Sequence, residues 1–172
     1  MSAPARRLAA AALALALAAC ASPAAQGTMA PAPPPGSGVA VSQEDAVAEV
    51  ARLVNEHRAR IGCAPLAWDA AAARAAQAHT DDMVRRGYFA HVSPEGGNVG
   101  GRVREAGGQW RAVAENIASG QPTAAAVVRG WLASSGHRAN IENCVYTRHG
   151  VGYRDRVWTH VFYTPLPSAG GG

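Results

Sequence analysis

Apolar positions recur at helical spacing over three stretches of the chain and at strand spacing near its end. Val47, Val50, Val54, His57 and Ile61 follow at intervals of three and four, one face of a helix that Ser42 and Asp45 open and Gly62 closes. After the extended "APLAWD", Asp69 is placed to cap a second helix running through Arg86. Ala72, Ala76, His79 and Met83 form its inward stripe, and Gly87 stops it. "GRVREAG" is a short helical piece, and "WRAVAENIA" has the composition of a strand. Thr123 caps a third long helix carrying Val127, Val128 and Trp131; on this pattern it ends at Gly136, which turns the chain left-handed at no steric cost. The period then changes to two. Val157, Thr159, Val161 and Tyr163 alternate with Trp158, His160 and Phe162, and "GVGY" precedes them across "RDR", which predicts a hairpin.

Helices around a small antiparallel sheet make an α+β layered fold. Trp68, Trp110, Trp131 and Trp158 are assigned to its core. So are His57 and His79, as hydrogen-bonded residues on apolar helix faces, whereas His149 and His160 lie on or beside strands and need no chemistry.

The ends of the chain do not share this patterning. "LAAAALALALAA" (Leu8–Ala19) is uncharged and follows two arginines. It is shorter than the roughly 20 residues that a membrane-spanning helix needs, and it suits the core of a signal peptide over residues 1–19. Its end, "LAAC", resembles the lipobox of bacterial lipoprotein precursors. That resemblance implies an acylated Cys20 as first mature residue and an exported, membrane-anchored lipoprotein of the cell envelope. The alternative is an ordinary secretory signal with a small-residue cleavage site. Residues 20–41 hold five of the eleven prolines and no charge, the composition of a flexible tether. A folded domain is expected over 42–165, with a glycine-rich tail over 166–172.

Charge and composition narrow the function. The formal net charge of +4 falls to +2 once Arg6 and Arg7 leave with the signal, and the other arginines form no basic stripe, which argues against nucleic acid. The chain has no lysine, so P-loop, Schiff-base and Ser–Lys chemistry are excluded within it. "SSGH" lacks the strand–turn–helix setting of a nucleophilic serine. With Cys20 acylated, Cys63 and Cys144 are an even pair in an oxidising compartment. A bridge would close a loop of about 80 residues and contribute about 4 kcal/mol in the chain-entropy model; two buried thiols are the alternative.

Taken together, "NEHRARIGCAPLAWD", "AQAHTDDMVRRGYFAHVSPEG", "AENIASG", "VVRGWLASSGHRANI" and the terminal hairpin resemble the CAP superfamily of cysteine-rich secretory, antigen 5 and pathogenesis-related proteins, closest to its bacterial secreted branch. The resemblance covers residues 45 to 164 and implies a three-layer α-β-α sandwich. It also implies a cleft of two histidines and two acids able to hold zinc or another divalent ion, carried over here onto His91, Glu115 and His137. The second acid's place, three residues after Trp131, is taken by Ser134. One negative charge is thereby lost, which weakens metal binding. Imidazole and carboxylate suit such an ion, held weakly. The implied roles are binding of a lipid or cell-wall ligand in this groove, metal-dependent hydrolysis with Glu115 as general base, or a structural tether without chemistry. Without the resemblance, His137 would merely stabilise the negative end of the third helix.

Overall fold

The computed structural model describes residues 42–167, so the signal peptide, Cys20, the tether and the residues after 167 lie outside it. In chain order the elements are α1 (Gln43–Arg60), β1 (Ala67–Trp68), α2 (Ala70–Arg86), α3 (Val99–Glu105), β2 (Trp110–Ser119), α4 (Ala124–Ala133), α5 (Ser135–Glu142), β3 (Arg148–Arg154) and β4 (Val157–Pro165). The caps act as the side chains dictate. Ser42 accepts from the Asp45 amide, Asp69 from those of Ala71 and Ala72, and Thr123 from that of Ala126. Gly87 ends α2 at φ 68°.

The sheet runs in the order β1-β3-β4-β2. It is antiparallel except for the two-residue β1, which pairs parallel with β3. The alternation in β4 divides the core into two layers. Trp158 and Phe162 pack with Val50, Val54, Val127, Trp131 and Ile141 of α1, α4 and α5. Val161 and Tyr163 pack with Ala72, Ala75, Ala76 and Val103 of α2 and α3. The expected three-layer sandwich is therefore formed, with β2 at one edge of the sheet.

Two packing features go beyond hydrophobic pattern. The buried row of α1 is Ala46, Val50, Val54 and Arg58, while Ile61 is exposed, so the expected stripe turns away at its end. Arg58 is fully buried and donates to the carbonyls of Ala64, Ile141, Asn143 and Tyr146, pinning the segments around the Cys63–Cys144 disulfide, whose Cα atoms are 5.2 Å apart. The tryptophans divide as well. Trp131 and Trp158 are core, but Trp68 is 47% exposed on the edge strand, and half-buried Trp110 donates to the Gly100 carbonyl.

His149 and His160 are buried neighbours on β3 and β4, with Nδ1 and Nε2 3.1 Å apart. Burial pushes His149 down to about 4, with the positive charge of Arg58 adding to it, and pushes His160 well below the usual imidazole range. Trp131 lies against His160, and Trp68 against His149. Both rings are thus neutral in the fold, whereas in the unfolded chain they protonate near pH 6.5. The unfolded state binds more protons below that value, so stability is complete above it and declines as pH falls towards about 4. His79 and His137 shift in the same direction and add to the effect. Urea unfolding should lose about 3 kcal/mol from His149 alone between pH 6.5 and 4, and His149→Gln should reduce the slope. A flat profile over that interval would contradict the neutral buried pair.

Candidate functional site

Glu115 and Asn116 are consecutive on β2 and therefore point to opposite faces of the sheet. Glu115, paired in register with Val161, enters the α2/α3 layer; Asn116, paired with His160, enters the α1/α4/α5 layer. Each reaches one of the site's histidines.

The Glu115 side chain is only 2% exposed, and both of its oxygens are engaged. Oε1 lies 2.9 Å from His91 Nδ1, and Oε2 accepts from Arg102 Nη2 at 2.8 Å. A buried carboxylate needs such a partner. Arg102 of α3 supplies the charge and also donates to the His91 carbonyl at 3.0 Å and the Gly97 carbonyl at 2.9 Å. It thereby holds the loop after α2 against the strand. An ionised carboxylate only accepts hydrogen bonds, so His91 donates through Nδ1–H and its Nε2 keeps a lone pair. The His91 side chain is 54% exposed. Its partner is thus buried while its own ring meets solvent.

On the other face, Asn116 donates to the His137 carbonyl at 3.0 Å and accepts from Asn140 Nδ2 at 2.8 Å. Asn116 therefore serves the backbone and a neighbouring amide. Around His137 the structure corrects the expected helix stop. Helix α4 ends at Ala133, Ser134 is extended at ψ 123°, and Ser135, Gly136 and His137 form the first turn of a separate helix. Gly136 is helical and terminates nothing. His137 stands near the positive end of α5, so the role of a charged cap at a helix C-terminus does not apply to it. Burial, and then the repulsion that a protonated His91 would exert, lower its proton affinity below that of a free imidazole.

His137 and Ser134 line a cavity of about 340 Å³ together with Phe89, Ile117, Val127 and Trp131. Phe89 is itself 52% exposed at this site. The wall is mostly apolar.

Two residues of the cluster escape sequence patterning. Arg102 is one; the isolated acid of "AVAENIA" calls for a cation but does not say which. The other is His79. It is a hydrogen-bonded core residue as expected, donating through Nε2 to the Ala90 carbonyl at 2.9 Å, but that nitrogen also lies 3.8 Å from Glu115 Oε1. Among the described residues, no group of three or more His, Cys, Asp or Glu side chains is arranged to hold a metal ion. With Glu115 committed to His91 and Arg102, a zinc site of three protein ligands does not fit; two imidazoles are the donors available.

Residues 51–156 match the family described as "Cysteine-rich secretory protein family" (CAP). The chain is 38% identical over 116 residues to the uncharacterised protein YkwD of Bacillus subtilis, covering 66% of this chain and 45% of that one. It superposes with a TM-score of 0.69 and 35% identity on an extracellular protein containing an SCP domain from Bacillus anthracis, covering 70% of this chain and 41% of that one. An outer surface protein of Borrelia burgdorferi shares the fold at TM-score 0.63 and 20% identity, over 68% of this chain and 90% of that one. The chain spans less than half the length of the two Bacillus proteins.

The Glu115–Arg102 pair is open to a direct energetic test. Glu115→Gln leaves a buried guanidinium without its charge partner and should cost about 3 kcal/mol in urea unfolding. Arg102→Met should cost a similar amount, and the double variant distinctly less than the sum. Additive costs would mean that the two side chains do not act as a buried pair.

Proposed function

Because this chain belongs to the cysteine-rich secretory protein (CAP) family, we propose that it is an exported cell-envelope protein whose cleft beside β2 binds a lipid. In this proposal the apolar body of the ligand lies along Phe89, Ile117, Val127 and Trp131, and its polar end meets His137 and His91. The observation that carries it is a largely apolar cavity with the imidazole of His137 in its wall. Ligand sites combine these elements: a largely apolar wall and a few polar groups fixed in advance. Export is supported by the signal-like residues 1–19 and by the Cys63–Cys144 disulfide, a bond that persists in oxidising compartments. Attachment to the membrane through an acylated Cys20 belongs to the same proposal.

Glu115 is assigned here as the positioning residue of His91. Both of its oxygens are hydrogen-bonded and its side chain is buried, so hydrolysis with Glu115 as base has no support in the geometry. A divalent ion would rest on His91 and His137 alone, and with two protein ligands it would exchange freely.

Titration with a fluorescent medium-chain fatty acid tests the proposal. Gly130 lies on α4 at the cavity, and a Cβ there meets no atom within 4 Å, so Gly130→Leu fills the space without strain. Saturable binding should appear, weaken by about tenfold or more in Gly130→Leu, and persist in the presence of a chelator. Absence of binding, or equal binding in the variant, would refute the lipid cleft.

A further inference from the structure

We infer that the mouth of the cleft is a docking surface for an anionic lipid bilayer, with Phe89 and Val92 entering the interface. The inference rests on the lipid cleft proposed above and names the surface from which its ligand comes.

Six large hydrophobic side chains are exposed among the described residues, and two of them, Phe89 and Val92, fall in one four-residue stretch. They flank His91, whose ring is exposed as well. The segment that carries them is firmly held. Tyr88 Oη donates to Asp82 at 2.6 Å, His79 Nε2 to the Ala90 carbonyl at 2.9 Å, and Arg102 Nη2 to the His91 carbonyl at 3.0 Å. Beyond Val92, the Ser93 amide donates to the Gly97 carbonyl, and Arg86 donates to Glu95 at 2.8 Å. A loop fixed on both sides does not turn these side chains inward. They stay 52% and 51% exposed until something covers them.

Two observations select a bilayer as the cover. Phe89 also lines the cleft with Ile117, Val127 and Trp131, so one side chain belongs both to the exposed surface and to the apolar wall. An acyl chain passing from a bilayer into the cleft would stay against it. The charges agree, since no carboxylate is among the residues lining the cleft. Arg138, next to His137, is exposed and donates to the Leu132 carbonyl at 3.3 Å; among the described residues it pairs with no carboxylate. A guanidinium with donors to spare suits a lipid phosphate. Apolar side chains with a basic neighbour are the composition of segments that bind anionic membrane surfaces.

The chain from residue 20 onwards, which contains the whole described fold, should be tested with Cys20→Ser so that no acyl group contributes. Vesicles of phosphatidylglycerol and phosphatidylcholine in equal parts should bind it in sedimentation, and vesicles of phosphatidylcholine alone about fivefold more weakly. Val92→Asp should weaken binding to the mixed vesicles about tenfold, and Arg138→Glu about fivefold or more. Trp68→Glu, at a similarly exposed position on β1 at the opposite edge of the sheet from β2, should change it less than about twofold. No vesicle binding, binding that Val92→Asp leaves unchanged, or binding that Trp68→Glu weakens as much would overturn the docking surface. Val92 is not among the residues lining the cleft, so fatty-acid binding in solution should be the same with and without Val92→Asp. Vesicle binding that Val92→Asp removes, in a protein that takes up no fatty acid, would support the docking surface and refute the cleft. Fatty-acid binding without vesicle binding would do the reverse.

Discussion

A carboxylate buried in the middle of an edge strand is the constraint around which the site is arranged. A carboxylate buried there needs a partner of opposite charge, and Arg102 reaches it from α3. The same guanidinium takes the carbonyls of His91 and Gly97, so neutralising one charge also fixes the loop that carries the exposed imidazole. The neighbouring Asn116 does the corresponding work on the opposite face, where it ties the backbone of His137 to Asn140. The edge itself is closed by side chains: Asn140 donates to the Glu115 carbonyl and the Trp131 indole to that of Ile117. An open strand edge invites pairing with another chain. Here α4 and α5 cover it, and the cleft forms beside the covered edge.

The position of α2 depends on the absence of side chains. Gly150 and Gly152 of β3 lie under that helix, and a Cβ at Gly150 would come within 2.1 Å of the Ala73 nitrogen. Helix and strand backbones therefore approach more closely than any other residue would permit. The alanine face of α2 supplies the matching flat surface. This approach brings His79 near Glu115 and delivers the chain after Gly87 to His91.

Much of this was legible in the sequence where a local rule decides the outcome. Asp69, Gly87 and Thr123 bound their helices because capping is settled within a few residues. The period of β4 assigns its side chains to the two layers because alternation across a strand is geometric. Gly136 misleads because a glycine permits a left-handed turn but does not require one; the break falls at Ser134 instead. Arg58 and Trp68 exchange their usual places for reasons that lie far along the chain. Arg58 is drawn inward by carbonyls some eighty residues away, and Trp68 sits on a two-residue edge strand with little to cover it. The family resemblance implied one site of His91, Glu115 and His137, but the partner of Glu115 is a tertiary fact that no local pattern contains.

The central claim is that Glu115, paired with Arg102, sets the orientation and tautomer of the exposed His91 ring. Nitrogen NMR of the His91 ring reads this directly. The neutral ring should carry its proton on Nδ1 in the native protein, and Glu115→Gln should return it to the mixture of tautomers of a free imidazole. A proton on Nε2 in the native protein, or a spectrum unchanged by Glu115→Gln, would contradict the account.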